Sequence, residues 1–327
     1  MFKKIALISV LLALVVVVLG AYVRLSHAGL GCPDWPGCYG HLVGVPESTA
    51  EIDIANQAYP ERAVEAGKAW KEVIHRYFAG ALGLLILLLA ILAIKNRKHP
   101  GQPVWLPIVL VGLVIFQALL GMWTVTLLLK PVIVMLHLLG GLTIVALLWW
   151  LVLKSSNQQP STDSKKLTPV LVLGLVLVVG QIVLGGWTST NYAALACPDF
   201  PTCQGEWWPE TDFKEGFVFW RGLGQNYEFG VLDNPARTAI HLSHRLFAIV
   251  VAVFWLFVLL RIMKRDNSSP NMRQLATITL LLLLAQIALG VSNIVMKLPI
   301  SVAVMHNGGA ALLLLSAVTL IYYSRLE

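Results

Sequence analysis

Charge is what this sequence has least of. Asp, Glu, Lys and Arg make up 13% of its 327 residues, about half the roughly 25% of a soluble globular domain. The net charge of +7 could suggest a nucleic-acid partner, but its distribution along the chain says otherwise. Cysteine is scarce too. All four cysteines lie in two heptapeptides, CPDWPGC (32–38) and CPDFPTC (197–203). Their C-x5-C spacing is not that of a zinc site. An A-x-A cleavage site is missing after the first apolar run, MFKKIALISVLLALVVVVLG. That run is longer than a signal-peptide h-region, and the second half of the chain has a matching helix, so it reads as a helix and not as a leader.

What is abundant is apolar sequence, with 57% hydrophobic residues. Eight stretches have the length and lack of charge that span a bilayer core. They cover roughly 5–23, 73–94, 104–126, 131–153, 168–188, 239–261, 274–296 and 300–322. Each is expected to be a helix, because lipid offers no partner to backbone N–H and C=O groups. With Met1 inside, the inner segments hold 13 basic and 3 acidic residues, leaving 11 basic and 14 acidic residues outside or near the outer helix ends. This is the positive-inside pattern, with both termini cytoplasmic.

The chain repeats itself. QALLGMW (117–123) matches QIALGVS (286–292), IHRYFAG (74–80) matches SHRLFAI (243–249), and VMLHLLGG (134–141) matches AVMHNGGA (303–310), each at an offset of 169. The heptapeptides match at 165. Four helices per unit is an even number, so the copies face the same way, as a parallel repeat about the membrane normal. The expected fold is therefore an all-α membrane protein of two tandem four-helix bundles. The first covers residues 1–154, a polar cytoplasmic linker follows at 155–166, and the second covers 167–327. The long outer segments, about 24–72 and 189–238, are expected to be ordered caps. Each carries one cysteine pair on the side where disulfides persist.

Four histidines occupy repeat-equivalent positions near the outer helix ends: His75 and His137 in the first unit, His244 and His306 in the second. Ionisable residues at membrane depth are functional by default. Facing helices about 8–10 Å apart would let two imidazoles grip one haem iron. A lone buried histidine is more simply a helix–helix hydrogen bond, and the repetition is what shifts the reading. Gly80, Gly140, Gly141, Gly308 and Gly309 fit a flat macrocycle, or ordinary membrane-helix packing. The units differ where it matters. Glu72 lies three residues before His75, and His241 three before His244, each on the same helix face as its partner. Arg76 and Arg245 read as haem-propionate partners or as interfacial anchors. His27, with Tyr192 at the matching place, reads as an interfacial side chain or a site residue.

These features together resemble the haem A synthase family: E-x-x-H-R, the second H-R, the later histidines and the two C-P-D-[WF]-P-x-C loops. The resemblance is to the bacterial branch with cysteine pairs, and it covers nearly the whole chain. It implies an enzyme of the bacterial cytoplasmic membrane, with the cysteine loops on the outer face, that oxidises a methyl group of haem O to the formyl group of haem A. It implies a permanent haem b on His244 and His306, substrate haem at His75 and His137, and a catalytic glutamate at Glu72. Cys32–Cys38 and Cys197–Cys203 map onto the family's cysteine pairs, and the first pair is either a staple or redox-active. The partners it brings are the lipid bilayer, the haem O synthase and a membrane electron acceptor, with room for an oligomer and no nucleic acid. A bis-histidine haem has no open iron position. Direct O2 activation on the substrate iron would need one histidine to leave. Otherwise electrons leave the macrocycle, a base takes a methyl proton and water adds to the cation, a route that suits Glu72 as base or cation stabiliser. Two rivals remain at this stage. A quinol-linked diheme electron carrier explains the histidines but not Glu72 in only one unit. A transporter explains the repeat but predicts sites at the midplane.

Overall fold

The computed structural model describes residues 1–155, 167–265 and 269–325, so the linker expected at 155–166 lies almost wholly outside the described residues. Among the described residues there are helices and no strands. In chain order they are α1 (Phe2–Leu25), α2 (Thr49–Ala58), α3 (Ala66–Lys95), α4 (Trp105–Thr126), α5 (Pro131–Lys154), α6 (Thr168–Thr190), α7 (Phe213–Gly216), α8 (Asn234–Lys264), α9 (Pro270–Val295) and α10 (Ile300–Arg325). Eight of them are long and apolar enough to cross a membrane, all except α2 and α7. The eight expected spans are all found. Four begin earlier than expected, most of all α3 and α8, at Ala66 instead of 73 and at Asn234 instead of 239, and also α1 at Phe2 instead of 5 and α9 at Pro270 instead of 274. Charged residues such as Lys71 and Arg237 read as loop, but the helix continues past the apolar boundary and carries them.

Contacts close two rings of four. α1 meets α3, α3 meets α4, α4 meets α5 and α5 returns to α1, while α6, α8, α9 and α10 do the same. α5 and α10 join the rings, and α1–α10 and α5–α6 flank that seam. Swapping each helix for its repeat counterpart leaves this contact pattern unchanged. The ring cores are separate packed clusters, one around Ile86, Leu110 and Leu148, the other around Leu171, Trp255 and Leu320. In lipid, such helices are held by close packing and by interhelical hydrogen bonds more than by the hydrophobic effect. The seam supplies two of these bonds. Trp149 Nε1–H donates to Thr319 Oγ1 (2.8 Å), and Tyr322 O–H donates to the Leu153 carbonyl (2.9 Å).

The α4–α5 and α9–α10 turns match as well. Each has two consecutive left-handed residues, Leu128–Leu129 and Lys297–Leu298. Each closes on a backbone bond, Leu129 N–H to Thr124 O (2.8 Å) and Leu298 N–H to Asn293 O (2.7 Å). The second outer segment is ordered and reaches across to the first ring. Lys130 is buried with its Nζ 3.5 Å from the centroid of Trp220, and Tyr227 N–H donates to Leu128 O (3.0 Å).

Candidate functional site

Each cysteine heptapeptide folds into the same small clasp. Cys32–Cys38 and Cys197–Cys203 are disulfides with Cα atoms 4.9 and 4.5 Å apart, and every cysteine of the chain is paired. In both clasps the aromatic–proline bond, Trp35–Pro36 or Phe200–Pro201, is cis. The chain then turns through left-handed pairs, Tyr39–Gly40 and Gln204–Gly205, closed by bridges Cys38–His41 and Cys203–Glu206. The aspartate of each motif ties the turn. Asp34 accepts from Tyr39 N–H (2.6 Å) and Gly40 N–H (2.8 Å), and Asp199 from Gln204 N–H (2.6 Å) and Gly205 N–H (3.1 Å). The Thr202 hydroxyl, with those two amides, holds the Asp199 carboxyl below its ordinary range.

The clasps are bolted to α3 and α8. Glu72 is 5% exposed and accepts from Cys32 N–H with Oε2 (3.0 Å), while Arg76 pairs with Oε1. Arg76 also donates to the carbonyls of Asp34, Pro36 and Gly37. In the second unit His241 is buried and its Nδ1 accepts from Cys197 N–H (3.2 Å). Arg245 donates to the carbonyls of Thr202 (2.9 Å) and Cys197 (2.7 Å). The arginines therefore act as clamps on the clasp carbonyls, a third role beside the propionate partner and interfacial anchor expected of them. Glu72 and His241 do the same structural job with different charge.

Thiol counting tests the clasps directly. Protein isolated without reductant is expected to show no free thiol, and reduction to expose four. Each six-residue separation closes a short loop, whose cross-link is worth roughly 2 kcal/mol by the chain-entropy estimate. A Cys32→Ser, Cys38→Ser pair is therefore expected to lower stability by about that amount. Four free thiols in unreduced protein would contradict this.

The four membrane histidines are half-buried. His75 and His137 stand on α3 and α5, and His244 and His306 on α8 and α10. Among the described residues α3–α5 and α8–α10 are not neighbours but the diagonals of their rings. This corrects the expectation of facing helices. A square of helices packed 8–10 Å apart has a diagonal of about 11–14 Å, which leaves more room between two imidazoles than adjacent helices would. Each ring's Cε1 edge lies over a glycine of an intervening helix. A Cβ on Gly20 or Gly185 would come 3.0 Å from Cε1 of His75 or His244, and one on Gly121 or Gly290 would come 3.4 or 3.2 Å from Cε1 of His137 or His306. The buried Nδ1 atoms of His75, His137 and His306 have no hydrogen-bond partner of normal geometry among the described residues. His244 Nδ1 lies 3.1 Å from Gln181 Nε2. No three His, Cys, Asp or Glu side chains gather to hold a bare metal ion among the described residues. Paired imidazoles across a glycine-lined ring fit a haem instead.

The glycines singled out from the sequence have other neighbours. Gly140 and Gly309 seat the buried amides of Gln117 and Gln286, Gly141 and Gly308 abut Val17 and Val18, and Gly80 faces open space. The glycines under the histidines were missed, although Gly121 and Gly290 stand in the repeated strings QALLGMW and QIALGVS. His27 lies outside both rings. It stacks on its counterpart Tyr192 (centroids 6.0 Å, planes 5° apart), and Arg24 covers the Tyr192 ring at 4.1 Å and donates to Ser189 O (2.7 Å). That places His27 at the junction between the rings.

Comparison with known proteins adds to this geometry. The profile of the COX15-CtaA family, described as cytochrome oxidase assembly protein, matches residues 3–318. A protein of Shewanella oneidensis named heme A synthase is 46% identical over 97% of this chain and 94% of its own length. Proteins of the same name from Shouchella clausii and Caulobacter vibrioides are 28% and 27% identical, over 89% and 91% of this chain and 85% and 88% of their own lengths.

Proposed function

The chain belongs to the COX15-CtaA family of cytochrome oxidase assembly proteins, and from that premise we propose that it is a haem A synthase, an oxidoreductase that converts a methyl group of haem O to the formyl group of haem A. The observation that carries this reading is a difference between two similar sites. The position that receives the first clasp amide is a carboxylate beside His75 and an imidazole beside His244. A carrier of two equivalent haems has no use for that difference, whereas an enzyme with one reacting and one resident haem does.

On this reading residues 1–154 form the substrate bundle and 167–327 the resident-haem bundle. His244 and His306 would hold haem b, and His75 and His137 would hold haem O. A bound haem b supplies a one-electron relay. Glu72 stands on the face of α3 that carries His75. Of its roughly four acceptor positions, Arg76 and Cys32 N–H take two and Gly31 N–H also approaches the carboxylate, which leaves one position to receive a proton or face a developing positive charge. Arg76 and the clasp fix the carboxylate's position, so little reorganisation is left for the reaction itself. The positive-inside pattern supports cytoplasmic termini, with the clasps on the outer face of a bacterial cytoplasmic membrane. The partners that fit are the haem O synthase and an electron acceptor in the same membrane.

Haem extracted from the purified protein and identified by reversed-phase chromatography tests the proposal. Haem b together with haem O, haem A or a hydroxylated intermediate is expected. Haem b alone at two sites per chain would favour the diheme carrier. The glycine seats give a further expectation. Gly185→Ala puts a methyl 3.0 Å from His244 Cε1, closer than carbon atoms normally approach, so the ring must shift. The variant is expected to lose haem b or to change its low-spin EPR signature, while Gly112→Ala, which faces open space, leaves both as in wild type. An unchanged signature in Gly185→Ala would contradict the seat.

A further inference from the structure

Both clasps end in the same way. The two residues after each bridged turn are apolar and project from the protein: Leu42 (79% exposed) and Val43 (80%) in the first, Trp207 (76%) and Trp208 (62%) in the second. They correspond at the clasp offset of 165. Nothing in the haem reading uses them. In water, paired apolar side chains on a rigid tip are a liability, and contiguous exposed apolar surface marks an interaction site.

The first tip's position says what it meets. Gly44 N–H donates to the Tyr77 hydroxyl (2.8 Å), and Trp70 Nε1–H donates to Glu47 Oε1 (2.7 Å). Residues 70 and 77 are two turns apart on one face of α3, about 10.5 Å along its axis. Three residues of extended chain cover about 10 Å. Segment 44–47 therefore climbs α3 from Tyr77 out to Trp70. Leu42 and Val43 lie at its inner end, beside Tyr77. Arg76 is the last charge of α3 before an uncharged run from 77 to 94. Ile74, Tyr77 and Phe78 on the adjoining surface of α3 are exposed. The tip thus continues the outward-facing apolar surface of a membrane-spanning helix, at the level where that helix loses its charges. The second tip is Trp–Trp, the residue type that favours the boundary between headgroups and acyl chains. Its clasp is held to α8 by Arg245 and by Gln204 Nε2–H donating to Thr238 Oγ1 (3.0 Å).

The geometry points to the clasps as lipid-anchored fingers: each clasp inserts the two apolar residues that follow its bridged turn into the acyl boundary of the leaflet on the clasp side. The disulfide, the aspartate-tied turn and the arginine clamp give each finger the rigidity to hold its tip there. The inference rests on the membrane-spanning helices and not on the haem assignment, so it stands or falls independently of the proposed function.

The test uses the unmodified, haem-loaded protein in phosphatidylethanolamine–phosphatidylglycerol vesicles. An acyl-soluble diazirine is photolysed in one sample, water-borne hydroxyl radicals are generated in another, and the labelled peptides are read by mass spectrometry. Leu84, 70% exposed on α3, reports the lipid-facing level, and Glu61, exposed in the first outer segment, the aqueous level. Leu42, Val43, Trp207 and Trp208 are expected to take carbene label comparable with Leu84 and to lose hydroxyl-radical oxidation relative to Glu61. Oxidation at the aqueous level without carbene label would overturn the inference. Protection from both reagents would also overturn it, because it would mean that protein, a partner or a second copy, covers the tips.

Discussion

Glu72→Gln protein is expected to keep haem in the ring of α1, α3, α4 and α5 and to convert haem O about 10²–10⁴-fold more slowly, the range a positioned general base contributes. Gln retains the length of the side chain and an oxygen that can accept the Cys32 N–H. Arg76 keeps its bonds to the carbonyls of Asp34, Pro36 and Gly37, so the clasp stays on α3. What disappears is the negative charge, and with it the ion pair to Arg76. His75 and His137 are untouched, so substrate binding survives. Extracts of cells carrying the variant should therefore show haem O accumulating and haem A missing. Near-normal haem A would reduce Glu72 to a bolt for the clasp, the role His241 fills in the other unit. Loss of haem from the first ring would make it a folding residue.

His306→Ala is expected to abolish haem b and to leave substrate haem in the first ring. The reasoning starts from the ring geometry. His306 and His244 stand on the diagonal helices α10 and α8, so neither can replace the other's side of the macrocycle. Removing one imidazole would leave His244 alone to hold the haem, beside a cavity next to Gly290. The helix itself is not undermined. Gln286 Nε2–H donates to the backbone carbonyl of residue 306 (2.9 Å), a bond that does not depend on the side chain. The pyridine haemochrome spectrum reads the result, and full retention of haem b would remove His306 from the ligand set. His244→Ala should behave alike, with the added loss of the Gln181 contact.

The membrane spans were legible because lipid leaves an apolar run of this length one solution, a helix. The charged first turns of α3 and α8 were not, because a helix that extends past the apolar boundary has the composition of a loop. The histidines were legible through repetition: a single His75 says little, and His75, His137, His244 and His306 at matched offsets say much. Their diagonal arrangement could not be read, since sequence offsets do not reveal which helices touch. Gly121 and Gly290 were in plain view within repeated strings, but glycine is common in packed membrane helices, and only the imidazole lying over each distinguishes a seat from ordinary packing. The clasp carbonyls that Arg76 and Arg245 hold could not be read, because they lie about 40 residues away in sequence and are a tertiary contact. Glu72 drew notice through its unmatched partner His241, and that difference survives in the structure as two acceptors for one kind of amide.

The central claim is that this chain makes haem A. The most direct measurement is to express it with a haem O synthase in a bacterial host that makes neither haem O nor haem A, and to resolve the extracted haems by reversed-phase chromatography with mass detection. The account predicts a haem A peak that depends on this chain and vanishes in Glu72→Gln. Haem O and haem b alone, from membranes in which the intact protein is present with its haem b bound, would contradict it.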